Sequence, residues 1–146
     1  MRSASKSNIY FFYETGINLR QRTALKEFIA LIFKKEGREL ESLNYIFCTD
    51  KRLLAINKEY LQHDFFTDII TFELSPRNQP VTGEIYISID RIKENAQNLK
   101  ESSQKELHRV IFHGALHLCG YKDKTTREKK LMREKEDYYL SKYAKL

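Results

Sequence analysis

Tryptophan is absent from this chain of 146 residues, and cysteine, proline and methionine occur only twice each. Two cysteines, Cys48 and Cys119, are too few for a disulfide framework, so the class of small cross-linked secreted proteins is excluded and a reducing compartment fits. With 2 prolines and 5 glycines, collagen-like and low-complexity chains are excluded as well. No apolar run approaches the roughly 20 residues that a membrane-spanning helix needs. The start, residues 1–7 (MRSASKS), is polar and basic and carries no apolar signal segment. The expectation is a cytoplasmic protein with no membrane partner.

Hydrophobic residues make up 41% of the chain, enough for one core and one domain over 1–146. Lysine and arginine outnumber aspartate and glutamate by 26 to 20, a net charge of +6. That balance suits a polyanion such as RNA, DNA or anionic lipid, and it equally describes an ordinary well-charged surface.

Periodicity predicts strands at Ile9–Tyr13, Leu43–Thr49, Asp68–Leu74 and Glu84–Ile89, each rich in β-branched and aromatic residues. Leu25, Phe28, Ile29, Ile32 and Phe33 recur at helical spacing in front of Gly37, a natural helix stop. Asp50 is the expected cap of a helix running to Tyr60, and Asp90 of the next. The stretch SPRNQPVTG reads as turn or loop. Longer helices are expected at Ser103–Cys119 and Thr126–Tyr143. In the last, Leu131, Met132, Tyr138 and Tyr139 read as the core side, and the run of Lys, Arg and Glu that includes Glu136 as a solvated face. The fold class is α+β: a small four-stranded mixed sheet with helices packed against it.

Chemistry concentrates in one of those helices. His113 and His117, two of the 4 histidines, lie one turn apart and about 40° apart around the axis, so both imidazoles leave the same face. That spacing suits a metal ion. Gly114 between them costs a helix roughly 1 kcal/mol, which points to a close backbone approach there. Gly120 ends the helix, and Asp123 beyond it can return to the histidine face as a third ligand, since zinc accepts carboxylate oxygen beside imidazole. Cys119 projects about 200° from His117 and His108 about 140° from His113, so neither fits the set. Arg109, one turn before His113, is placed to contact a phosphate oxygen or to pair with an acid such as Glu106. A zinc protease of the HExxH type needs a glutamate where Gly114 stands. Three protein ligands leave a position open for water on one zinc ion, and a phosphodiester suits a metal that polarises its substrate directly.

The segment HGALHLCGYKD (His113–Asp123) closely resembles the HGxLHLxGYDH signature of the YbeY family of metal-dependent endoribonucleases, the rRNA maturation factors. INKEYLQHDFFTDIITF (Ile56–Phe72) is similar to that family's LNxxYRxxDxxTDVLSF segment, and GEIYIS (Gly83–Ser88) to its GDIxIS strand. The resemblance implies a zincin-like metal helix, one zinc on His113, His117 and Asp123, and cleavage of single-stranded RNA. It further implies a part in ribosomal RNA maturation and ribosome biogenesis, with the small ribosomal subunit as partner. Asp123 stands where the family has its third histidine, and Lys122 where it has an aspartate. A carboxylate there also suits Mn²⁺ or Mg²⁺. The family's arginine position is Leu61, so that role passes to a neighbour such as His63 or Arg109 or is absent. Two other classes are a non-catalytic zinc-containing ribosome assembly factor and a metal hydrolase of peptides or small esters. Gly114 and the +6 charge both disfavour the last.

Overall fold

In the computed structural model, which describes residues 8–146, the alternating segments become four strands: β1 (Ile9–Tyr13), β2 (Leu40–Cys48), β3 (Ile69–Glu73) and β4 (Val81–Ser88). The basic start, 1–7, lies outside the described residues. Five helices complete the order: α1 (Arg22–Lys35), α2 (Asp50–Leu61), α3 (Ile89–Leu99), α4 (Ser103–Leu118) and α5 (Thr126–Ala144). The sheet runs β1-β2-β4-β3, with β1, β2 and β4 parallel and β3 antiparallel to β4. It is therefore a four-stranded mixed sheet in an α+β fold, as expected.

Alternation decides what each face of the sheet meets. Leu43, Tyr45 and Phe47 of β2 and Ile85 and Ile87 of β4 point into the main core. There they join Leu25, Phe28, Ile29, Ile32 and Phe33, the apolar stripe of α1, and Ile111, Phe112 and Ala115 of α4. Each such large side chain contributes about 1.5–3 kcal/mol by leaving water. The alternate positions turn the other way, where Cys48 and Ile70 pack with Leu53 and Ile56 of α2.

Helix α4 lies close against the sheet because glycine permits it. A Cβ on Gly114 would stand 2.7 Å from Ile85 Cδ1, and one on Gly83 of β4 would stand 2.9 Å from Leu118 Cδ1. The Tyr45 hydroxyl, buried beneath α4, donates to the Ile111 carbonyl at 2.8 Å. Beyond α1, Arg38 Nη1 donates at 3.1 Å to the carbonyl of Leu118, the last residue of α4. Both the middle and the end of the helix are thus tied to other elements.

Three expectations change. The stretch taken as a turn ends at Pro80: Val81, Thr82 and Gly83 pair with Leu40, Ser42 and Leu43, because two β-branched residues and an unhindered glycine suit a strand lying under Leu118. Asp50 and Asp90 are not the caps of their own helices. Thr49 accepts the Arg52 amide and Ser88 the Arg91 amide, while Asp90 Oδ2 accepts the amide of Asp50 in the neighbouring helix at 2.9 Å. In α5 the buried stripe is Met132, Glu136 and Tyr139, and Leu131 and Tyr138 are exposed. Glu136 is buried because it serves α4, as described next.

Candidate functional site

Helix α4 starts with a sound cap, Ser102 Oγ accepting the Lys105 amide at 3.0 Å, and buries Leu107, Ile111, Ala115 and Leu118 against the core. His113 and His117 leave the helix on one side, with their ring centres 6.4 Å apart and their planes within 17°. The helix ends where Gly120 takes φ +110°, a conformation open to glycine and strained for other residues. The chain folds back there: the Gly120 amide donates to the His117 carbonyl at 3.0 Å and the Tyr121 amide to the Leu116 carbonyl at 3.1 Å. That return brings Asp123 Oδ2 within 3.2 Å of His113 Nε2.

Each imidazole has one nitrogen already committed. His117 Nδ1 lies 2.8 Å from the Tyr121 carbonyl oxygen, which only accepts, so the proton is on Nδ1 and the Nε2 lone pair is left for a ligand. His113 Nδ1 lies 2.7 Å from Glu136 Oε2 and donates to it. Burial would lower the His113 pKa, but the Glu136 carboxylate, then Asp123 and Asp68, outweigh burial and raise it. The carboxylate–imidazole arrangement orients a ring and strengthens it as a ligand.

Glu136 and Tyr121 are held in turn. Arg109 Nη1 donates to Glu136 Oε1 at 3.3 Å and to Asp137 Oδ1 at 2.8 Å. Arg109 Nε stands 3.5 Å from Glu106 Oε1, an ion pair with no hydrogen bond, and neither atom has another partner. Arg109 therefore reaches Glu106, the partner considered from sequence, and two further acids. The Tyr121 hydroxyl donates to Glu36 at 2.7 Å, and the Tyr139 hydroxyl donates to the other oxygen of the same carboxylate. Glu36, just past α1, thus fixes the turn that carries the His117 partner.

Two adjoining hollows share His113, Asp123, Thr67 and Ile69. One, about 460 Å³, is lined also by Asp68, Glu106, Arg109, Lys129, Arg133 and Glu136. Burial pushes the Asp68 carboxyl above the usual range, against the pull of His113, and Asn95 donates to it at 3.2 Å. The other, about 260 Å³, brings in His117, Asn57, Leu61, His63 and Phe65. Leu61 and His63 thus stand at the histidine pair, whereas Arg109 stands on the far side of His113. A larger cavity of about 620 Å³, beside Leu19, Arg22 and Tyr143, has no histidine, cysteine, aspartate or glutamate in its wall among the described residues.

The rival ligands lie elsewhere. Burial pushes the Cys119 thiol up to about 12, so it stays protonated near neutral pH. His108 stacks on Phe112 and meets Tyr143 edge-on at the rim of the core. Among the described residues no group of three His, Cys, Asp or Glu side chains stands ready-made for a metal ion. The donors nevertheless match zinc chemically: two imidazoles and one carboxylate. Ligand atoms about 2.0–2.1 Å from a tetrahedral ion sit about 3.3 Å from one another. The 3.2 Å between His113 Nε2 and Asp123 Oδ2 agrees with that spacing.

A sequence model of the family described as endoribonuclease YbeY matches residues 13–144. The chain belongs to the YbeY family. An endoribonuclease YbeY from Cytophaga hutchinsonii is 51% identical over 137 residues, covering 93% of this chain and 96% of its own. One from Flavobacterium psychrophilum is 44% identical over 132 residues, with 90% and 94% covered. A solution structure of a Thermotoga maritima protein superposes with a TM-score of 0.65 at 29% identity, over 92% of this chain and 88% of that one. The YbeY match spans every residue of the two hollows, so the histidine helix, the turn after Gly120 and Glu136 all fall within it.

Two residues of this site escaped the sequence. Glu36 left no signal, being joined to Tyr121 only through the fold. Glu136 did leave one: it falls in step with Met132, Tyr139 and Tyr143 on the inward stripe of α5, where a lone carboxylate requires a partner.

Proposed function

We propose that this chain is a zinc-dependent endoribonuclease of a single domain, cutting single-stranded RNA in ribosomal RNA maturation together with the small ribosomal subunit, in the cytoplasm. Family membership supports the reaction class. The observation that carries the metal reading is the commitment of both Nδ1 atoms, to Glu136 and to the Tyr121 carbonyl, which leaves Nε2 as the metal-facing nitrogen of each ring, that of His113 paired with Asp123 Oδ2 at 3.2 Å until an ion takes the place of its proton. His113, His117 and Asp123 would hold the ion. Zinc there supplies a Lewis acid for phosphodiester hydrolysis.

The chain's own residues do the rest. Glu136 and the Tyr121 carbonyl keep the two rings in one tautomer and one orientation. Arg109, Lys129 and Arg133 are the cations the larger hollow offers a phosphate, and they stand there among Asp68, Glu106, Asp123 and Glu136, with Arg109 sharing its Nη1 between Glu136 and Asp137. Gly114, in the place of a protease's general base, lets the helix sit against Ile85.

The test is metal content by elemental analysis together with cleavage of single-stranded RNA, duplex RNA and casein, before and after chelation. Bound zinc, loss of single-strand cleavage on chelation and its recovery with zinc are expected. Cleavage should also weaken as salt rises, because cationic contacts to phosphate release counterions. Full activity after chelation would refute the metal reading, and proteolysis without RNA cleavage would refute the substrate.

A further inference from the structure

The segment between α2 and β3 forms one wall of the smaller hollow and is built unlike an ordinary surface loop. Gln62 ends α2 in the left-handed conformation, φ 56°. Asn57, 1% exposed, then pins the loop twice. Its side-chain Nδ2 donates to the Phe65 carbonyl at 2.9 Å, and its carbonyl accepts the His63 amide at 3.1 Å. On this fixed backbone the His63 and Phe65 rings lie face to face, centres 5.0 Å apart and planes within 21°. Phe65 is 55% exposed and Phe66 54%, and the guanidinium of Arg91 lies 5.3 Å from the Phe66 ring centre. The exposed His63 and Phe65 rings are thus held in the same hollow as His113, His117 and Asp123.

We infer that the stacked His63–Phe65 pair is a platform for an unpaired nucleobase of the RNA substrate, beside the bond to be cut. The inference rests on the endoribonuclease reading and adds to it a subsite and a reason for single-strand preference. A base offers a flat π-face that continues the His63–Phe65 stack whatever its sequence. Bases inside a duplex have both faces covered by their neighbours and cannot reach the platform. A purely apolar partner would gain nothing from an imidazole in the stack, whereas a nucleobase stacks on imidazole and phenyl alike. The net charge of +6 favours the same polyanion.

The experiment uses the full chain and a short single-stranded RNA carrying one 2-aminopurine, whose fluorescence falls on stacking. Affinity is read by anisotropy under chelation, where metal-dependent cleavage is stopped, and kcat and KM are read separately with metal. Phe65→Ala should weaken binding between about fivefold and about 150-fold, the range for losing one base–aromatic stack. It should also abolish the quenching and raise KM more than it lowers kcat. Phe65→Tyr should restore all three, and His63→Ala should weaken binding to a smaller degree. An RNA with an abasic site at the quenched position should bind wild type and Phe65→Ala equally. If wild type cuts single-stranded RNA while Phe65→Ala and His63→Ala bind and quench as it does, the platform is refuted and the enzyme reading stands. If wild type neither binds nor cuts RNA, both fall.

Discussion

His113 on α4 and Glu136 on α5 meet through a 2.7 Å hydrogen bond between Nδ1 and Oε2, with the carboxylate 6% exposed. A buried carboxylate is costly unless it is paired and fully bonded, and Glu136 has Arg109 and His113 as partners. The pairing locks α5 to the histidine helix and fixes which nitrogen of His113 faces Asp123.

Replacing that carboxylate by an amide isolates its effect. Glu136→Gln keeps the shape and removes the charge that orients the imidazole and strengthens it as a ligand. Zinc affinity should fall by about 10- to 100-fold. Competition against a chromophoric chelator measures it, with circular dichroism to confirm that the helices persist. Unchanged affinity would show that Glu136 serves only the packing of α5.

Asp123 is tested by a graded series. Asp123→Ala should lose metal affinity while the fold survives, because the side chain is 42% exposed and forms its ion pair with His113. Asp123→His should retain binding, since imidazole is an equally good zinc ligand. Asp123→Asn should fall between the two, its amide oxygen being an uncharged donor. Wild-type zinc affinity in Asp123→Ala, with loss in Cys119→Ser, would move the third ligand to the cysteine.

Gly114→Ala should cost net stability of about 0–2 kcal/mol. Overpacking a core costs about 1–3 kcal/mol, offset by roughly 1 kcal/mol of helix propensity. The new Cβ meets Ile85 on two atoms and Ile69 on a third, so either these buried side chains shift or α4 rides up from the sheet and carries both histidines with it. Urea denaturation reads the stability, and a rise in stability would mean that the isoleucines repack freely.

Acid sensitivity should include a contribution from Asp50. Burial would raise its pKa, but hydrogen bonds from Arg91 and Ser88, at 2.6 and 2.7 Å, outweigh burial and hold it below the ordinary carboxylate range. A folded-state pKa below the unfolded one means stability that is full above about pH 3.9 and lost as pH falls through the folded value. Asp50→Asn should therefore be less stable by about 1.5–3 kcal/mol at neutral pH, the range for hydrogen bonds to charged groups. It should also lose less stability than wild type on acidification below pH 3.9. Thermal melts across that range check both, and parallel curves would refute the assignment.

The strands and the α1 stripe were legible because alternation and helical spacing are local, and Leu25, Phe28, Ile29, Ile32 and Phe33 are the buried residues of α1. The pairing of His113 with His117 is fixed by helix geometry within one turn, and the return of Asp123 by Gly120. What could not be read was set by distant neighbours. Asp50 and Asp90 have the residue type of caps, yet the two helix starts face each other and Asp90 serves the other helix. Among the charges of α5, Glu136 differs from Glu134 only in pointing at α4. Glu36 joins Tyr121 across the whole core.

The strand order also dictates how the molecule assembles. β1 and β2, like β3 and β4, are neighbours in both sequence and space, but β1–β2 is a parallel pair joined through α1, and β2–β4 skips β3 altogether. Ile9 must find Leu43, and Leu43 must find Gly83, across long intervening segments. Such non-local parallel pairings must close large loops before any contact rewards them, which places folding toward the slow end for a chain of this size. Helix α4 finds its seat over Gly83 only once β4 is in place. The surroundings of the histidine pair therefore depend on a strand pairing that is itself non-local.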